Sequence, residues 1–222
     1  MKKVLLTVDR CKPRNSRIVF WVTAILILVC GSGFIPGQAP RNNGQAAAAQ
    51  PDESAAHKYF TDTLLVNQNG EKMRFYTDLL QGKVVIINSF FATCQGSCLP
   101  LNRNLEKVQE ALGDRLGKEV NIISLSVDPT ADTPPALKAY AKKLNARPGW
   151  YFLTGDKQNV DFVLHQLGQF VENKQDHLNI FIIGNERTGL WKKAFGLAPS
   201  AELVRVVDGV LKDEPSRALP QK

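Results

Sequence analysis

Residues Val84–Phe91 (VVIINSFF) form a nearly continuous apolar and β-branched run, the pattern of a strand buried on both faces. A strand of that kind needs structure packed above and below it, and the segments that follow supply it. Leu101, Leu105, Val108 and Leu112 recur at steps of four, three and four, the spacing of one helix face. Ile122–Val127 reads as a second strand. Thr133 is placed to cap a helix with Pro134 in its first turn and Leu137, Tyr140, Ala141 and Leu144 as its buried stripe. Trp150–Leu153 is a short strand, and Asp156 is placed to cap a helix whose apolar face is Val160, Val163, Leu164 and Leu167. Leu178–Ile183 and Leu190–Phe195 enclose the turn Gly184-Asn185-Glu186-Arg187-Thr188-Gly189 and predict an antiparallel hairpin. Ser200 is expected to cap a last helix with Leu203, Val206, Val207 and Val210 on one side.

Strand, helix, strand, helix, short strand, helix, hairpin, helix is the order of an α/β domain with a mixed central sheet, and it is thioredoxin-like. Upstream, Leu64–Val66 and Met73–Phe75 flank Asn67-Gln68-Asn69-Gly70, which adds an N-terminal hairpin extension. No internal repeat is present.

The first 57 residues read differently. Ile18–Ile35 is almost wholly apolar, and no charged side chain occurs between Ile18 and Pro40. A spanning helix needs about 20 such residues. Six basic residues precede the run and Arg41 follows it, which predicts an inside N-terminus and a domain exported to the extracytoplasmic side. The expected organisation is a cytoplasmic basic segment (1–17), one N-terminal transmembrane helix (18–35), a flexible Pro/Gly/Gln/Ala linker (36–57), the domain (58–215) and a short tail (216–222). A cleaved signal sequence is the competing reading, but its best small-residue site is followed by Pro40. A lipoprotein reading would use Cys30, with the bulky Val29 against it. Either alternative also exports the domain.

The formal net charge of +7, from 28 Lys/Arg and 21 Asp/Glu, owes much to that N-terminal region, which holds seven of the basic residues and three of the acidic ones. Beyond it the charge is nearly balanced, so nothing points to a nucleic-acid partner.

Of the four cysteines, Cys11 and Cys30 fall inside or within the membrane on this reading, leaving Cys94 and Cys98 in the exported domain. They sit where the first buried strand ends and the first amphipathic helix begins. Unpaired N–H groups at a helix start stabilise negative charge, so one or both thiols are expected to be more acidic than the free value of about 8.5. A disulfide closing so short a loop adds little stability, which argues against a purely structural staple. His177 opens the expected strand Leu178–Ile183, close to where the Cys94 strand ends. Two thiolates and an imidazole make a soft site suited to copper, although zinc with an open fourth position accepts the same set. His57 lies in the linker and His165 off its helix stripe, so neither is a candidate. Ordinary thioredoxin-type oxidoreductases place two residues between their cysteines and a proline before the facing strand. Here three residues intervene and no proline occurs between Pro148 and Pro199. The Pro-x-x-x-Thr-x-x-Cys arrangement of a peroxiredoxin is also missing.

Cys94-x-x-x-Cys98, Ser126-Val127-Asp128-Pro129 with Asp132-Thr133-Pro134, Trp150-Tyr151-Phe152-Leu153-Thr154-Gly155, and Asp176-His177 ahead of Ile180-Phe181-Ile182-Ile183 occur in this order. In that ordered set the chain resembles the SCO/SenC family of copper-binding proteins over roughly residues 60–212. The resemblance implies a membrane-anchored thioredoxin fold, copper, Cu(I) or Cu(II), held by Cys94, Cys98 and His177, and Asp128 standing beside the site. It further implies a metallochaperone that delivers copper to, or reduces cysteines in, the dinuclear copper site of cytochrome c oxidase or another exported copper protein. Pro commonly follows both family cysteines directly, whereas this chain has Gln95 and Leu99, which leaves redox potential and partner fit open. Two readings remain: a copper-binding assembly factor that is not an enzyme in the turnover sense, and a thiol-disulfide oxidoreductase using Cys94 and Cys98 as its redox pair without copper. Asp128 has a plain structural alternative too, as an Asp-Pro turn.

Overall fold

The structure, a computed structural model, describes residues 55–214. The predicted N-terminal segment, the transmembrane helix, nearly all of the linker and the tail lie outside them. Among the described residues no helix is long and apolar enough to cross a membrane.

Strand β3 (Val84–Phe90) is the axis of the domain and is buried along its whole length, as its composition requires. Because side chains alternate along a strand, Val84, Ile86 and Phe90 join one apolar cluster while Val85 and Ile87 join another. β4 (Val120–Ser126) and β5 (Trp150–Thr154) continue a parallel sheet beside it. On the other side β6 (Ile180–Asn185) runs antiparallel to β3 and pairs with β7 (Leu190–Phe195). The hairpin β1 (Leu64–Asn67) and β2 (Lys72–Arg74) joins through β1 to β5, so the seven-stranded mixed sheet has the order β2-β1-β5-β4-β3-β6-β7.

Helices cover both faces. α2 (Cys98–Leu112), α3 (Pro134–Lys143) and α5 (Ser200–Leu211) bury Leu101, Leu105, Leu137, Leu203 and Val207 on one side. α1 (Ala55–Phe60), a π-helical turn (Phe75–Leu80) and α4 (Lys157–Gln166) bury Phe60, Leu79, Val160 and Val163 on the other. Each such side chain contributes roughly 1.5–3 kcal/mol when taken fully from water. Within the first layer a polar chain threads the core. Ser124 Oγ donates to Asn88 Oδ1 at 2.8 Å, Asn88 Nδ2 to Asn102 Oδ1 at 3.1 Å, Asn102 Nδ2 to Tyr140 Oη at 3.1 Å, and Trp150 Nε1 to Ser124 Oγ at 3.0 Å.

Several local expectations are corrected. His57, read as part of the linker, lies within helix α1 and stacks on Tyr76 with ring centroids 4.4 Å apart. The side chain of Asp156 does cap α4, accepting from the Gln158 N–H, but Thr133 makes no side-chain capping bond to α3. At α5 Pro199 occupies the capping position and Ser200 is already helical. Strand β6 starts at Ile180, not Leu178, because Lys174–Asp176 form a short 3-10 turn and His177 follows it in a loop. Trp191 packs against Phe60 with ring centroids 5.2 Å apart, whereas Phe195 is 58% exposed.

Candidate metal centre

The site lies beyond the carboxyl ends of β3 and β4, at the start of α2. β3 ends at Phe90, whose carbonyl accepts from the Val127 N–H at 2.8 Å, and the chain then turns through residues 91–97 into α2. Phe91 is buried, and its carbonyl accepts from the Cys94 N–H at 3.1 Å. Cys98 is the first residue of α2. Ser97, just before it, leaves the helix N–H groups uncapped and donates its hydroxyl to Asn179 Oδ1 at 2.6 Å, tying the helix start to the chain entering β6.

Cys94 is half-buried, while Cys98 and His177 are buried; their Sγ, Sγ and imidazole nitrogen all lie within 4.8 Å of one another. Cys98 Sγ is 3.0 Å from His177 Nε2. His177 Nδ1 is 3.0 Å from the Lys174 carbonyl. A carbonyl can only accept, so Nδ1 carries a proton, and in the neutral imidazole Nε2 then keeps a lone pair facing the sulfurs. The structure thus brings together all three residues singled out from the sequence. The donor set fits a soft metal: two sulfurs, which bind as thiolates, and one imidazole whose other nitrogen is held by an outer hydrogen bond.

The acidic thiol expected at the helix start is overturned for Cys98. Burial, together with the neighbouring Cys94 sulfur, pushes its thiol up to about 12, so desolvation outweighs the helix-end field.

Asp128 contacts none of the three directly. It reaches the site through Lys174, whose Nζ lies 2.6 Å from its Oδ2, and this hydrogen bond is the main reason its carboxyl is held below the ordinary value. His165 is exposed and stacks on Phe170, 3.9 Å between centroids.

Asp132 carries no assignment in the sequence, although it falls within a quoted motif. It is 1% exposed, accepts from the Ala92 N–H with both oxygens at 3.1 Å, and accepts the Ser126 hydroxyl at 2.6 Å. Burial raises its pKa against those hydrogen bonds. The carboxylate therefore ties the end of β4 to the turn that delivers Cys94. An acid five residues before a helix's first buried residue offers no sequence signal of that contact.

Fold and site together define a thioredoxin-like domain whose usual dithiol position is joined by a histidine into a soft three-donor site. A family model described as SCO1/SenC matches residues 50–192, and the chain belongs to this family. The SCO1 protein homolog of Bacillus subtilis is 33% identical over 94 residues, 42% of this chain and 47% of that one, so the match spans about half the length of that relative. Among solved structures, a SCO1/SenC family lipoprotein from Bacillus anthracis superposes with a TM-score of 0.57 at 26% identity, covering 67% of this chain and 92% of that one. BsSco, a member of the Sco family of cytochrome c oxidase assembly proteins, and yeast Sco1 with copper bound both superpose with TM-scores of 0.57. They are 24% and 21% identical, cover 68% and 69% of this chain and 92% and 93% of their own, and show the shared fold.

Proposed function

We propose that this protein is a copper-binding assembly factor that holds one copper ion at Cys94, Cys98 and His177. It passes the ion to, or prepares the cysteines of, the dinuclear copper site of cytochrome c oxidase or another exported copper protein. The observation that carries this reading is the convergence of two sulfurs and a lone-pair nitrogen, its tautomer fixed by the Lys174 carbonyl. Fold kinship with copper-bound yeast Sco1 and with BsSco supports the same reading.

In this reading copper is cargo, and the protein supplies ligands that let it arrive and leave. Cys94, half-buried at the rim, is the donor a partner's ligand can reach first; Cys98 and His177 hold from beneath. The turn that delivers Cys94 is held by Asp132 through the Ala92 N–H, and Asp128 acts from outside the ligand set. The apolar segment 18–35 anchors the domain to the membrane from its extracytoplasmic face in this proposal, with residues 36 onward as the tether.

A second reading has one observation of its own: the two thiols are free and their sulfurs lie within 4.8 Å of each other, as in a dithiol that reduces target cysteines. Titration of the reduced, metal-free protein with Cu(I) and Cu(II) separates the two. One tightly bound equivalent, with visible thiolate-to-copper absorption for Cu(II) that disappears in His177→Ala and Cys94→Ser, is the expected result. Equal copper binding by His177→Ala and the parent would remove the three-ligand site, and absence of specific binding would leave Cys94 and Cys98 as a redox pair.

A further inference from the structure

The chain between α4 and β6 delivers His177, yet it pairs with no strand. Among the described residues, the side-chain polar contacts that residues 170–177 make outside their own loop are two: His177 to Cys98, and Lys174 to Asp128. The first is the site itself. The second ties the loop to the scaffold upstream of His177, as the Ser97–Asn179 hydrogen bond ties it downstream.

Lys174 makes three contacts at once. Its ammonium lies 2.6 Å from Asp128 Oδ2, in the turn that follows β4, with the acid side chain 13% exposed and therefore shielded from water on most sides. The same ammonium stands 5.2 Å from the centroid of Phe91, the buried ring three residues before Cys94. Phe91 in turn meets the His177 ring edge to face, 5.5 Å between centroids. Finally, the backbone carbonyl of Lys174 accepts from His177 Nδ1 at 3.0 Å and from the His177 N–H at 3.4 Å. Pinning the side chain therefore places the carbonyl, and the carbonyl sets both the rotation and the tautomer of the imidazole.

We infer that Lys174 is the positioning residue of the metal centre: its ion pair with Asp128 and its seat against Phe91 hold the carbonyl that aims His177 Nε2 at the cysteine sulfurs. The consequence for copper rests on the copper reading above, while the consequence for the imidazole does not. Loss of an outer contact of this kind lowers metal affinity roughly 10–100-fold. Removing the charge at either end, Lys174→Leu or Asp128→Asn, has the same effect, whereas Lys174→Arg keeps the charge and the reach.

The test uses the full-length chain and these three variants, reduced and free of metal, checked for parental circular dichroism and thermal melting. The nitrogen-15 NMR signals of the His177 imidazole are recorded first, at mildly alkaline pH. Cu(I) is then titrated against a chromophoric chelator. The parent is expected to show protonated Nδ1 and bare Nε2; Lys174→Leu and Asp128→Asn should average the two tautomers and lose affinity about 10–100-fold. Lys174→Arg should recover most of both. An unchanged imidazole signature in folded Lys174→Leu overturns the inference and leaves the copper site standing. A signature that collapses in that variant, with no copper bound even by the parent, sinks the copper reading and upholds the positioning role.

Discussion

His177 Nε2 lies 3.0 Å from Cys98 Sγ although 79 residues separate them. The imidazole lies against the sulfur that begins α2, and burial of that sulfur pushes its thiol up to about 12. Cys94, four residues earlier, is half-buried. Alkylation depends on access and on the thiolate fraction, so the two cysteines of the reduced, metal-free protein should differ. Cys98 is expected to react with iodoacetamide at least about tenfold more slowly than Cys94. His177→Ala should narrow the gap by uncovering Cys98. Peptide mapping by mass spectrometry over a time course measures both rates, and equal rates in the parent would show that Cys98 is not shielded as described.

Asn88 occupies the middle of the buried polar chain, accepting from Ser124 and donating to Asn102. Asn88→Leu matches its size but leaves the Ser124 hydroxyl and the Asn102 oxygen without those partners in a layer where water is excluded. Each orphaned group costs about 1–3 kcal/mol, so a loss of roughly 2–4 kcal/mol is expected. Tyr140→Phe orphans only the Asn102 amide and should cost about 1–2 kcal/mol. Urea unfolding of the two variants, and of the double variant, checks both the sizes and the coupling. Losses that simply add would mean the chain does not act as a unit.

The sheet and its helices are legible in the sequence because burial imposes periodicity: the run at Val84–Phe90, the stripe Leu101-Leu105-Val108-Leu112 and the turn at Asn67–Gly70 each force one local structure. The three donor residues are legible as residue types at element ends. What stays hidden depends on contacts distant in sequence. Leu178 and Asn179 look like strand residues, but strand β6 starts at Ile180, and Asn179 is placed by a contact distant in sequence, its side chain accepting from the Ser97 hydroxyl. The acidity expected of Cys98 fails for the same reason, since a helix start is visible in the sequence and a desolvated pocket is not. Lys174 and Asp128 are 46 residues apart, and neither carries a local mark of the pair they form.

Gly149 has φ +98°, and a Cβ there would overlap the Gly117 nitrogen, which is backbone and cannot swing aside. Its carbonyl accepts from the Ile122 N–H at 2.9 Å, so the close approach sits where the β4–β5 pairing begins, at Ile122 and Trp150. Gly149→Ala combines a disfavoured backbone angle with a steric overlap and should cost about 3 kcal/mol or more. Gly70→Ala, with φ +82° and open space around the position, tests the angle alone and should cost about 1 kcal/mol. Thermal unfolding of the pair distinguishes the two contributions; equal shifts would mean that the Gly117 contact contributes nothing.

Asp62 ties the segment after α1 to the π-helical turn, accepting from the Thr77 N–H and the Thr77 hydroxyl, both at 2.8 Å, with His57 Nε2 at 3.6 Å. Partial burial acts to raise its pKa, but the two Thr77 hydrogen bonds and the charges of His57 and Arg74 outweigh it, and the carboxyl is held below 3.8. A carboxylate with a depressed folded pKa stabilises the protein above its unfolded value. As pH falls through 3.8 the unfolded chain takes up the proton first, so the contribution shrinks and is gone below the folded pKa. Asp62→Asn keeps the shape and removes the charge. At neutral pH it is expected to cost about 1 kcal/mol, the modest size reflecting a side chain partly open to solvent. Melting curves of parent and variant, followed from neutral pH to below the carboxylate range, should converge at the acid end. A gap that persists there would locate the stabilisation in shape or packing instead of charge.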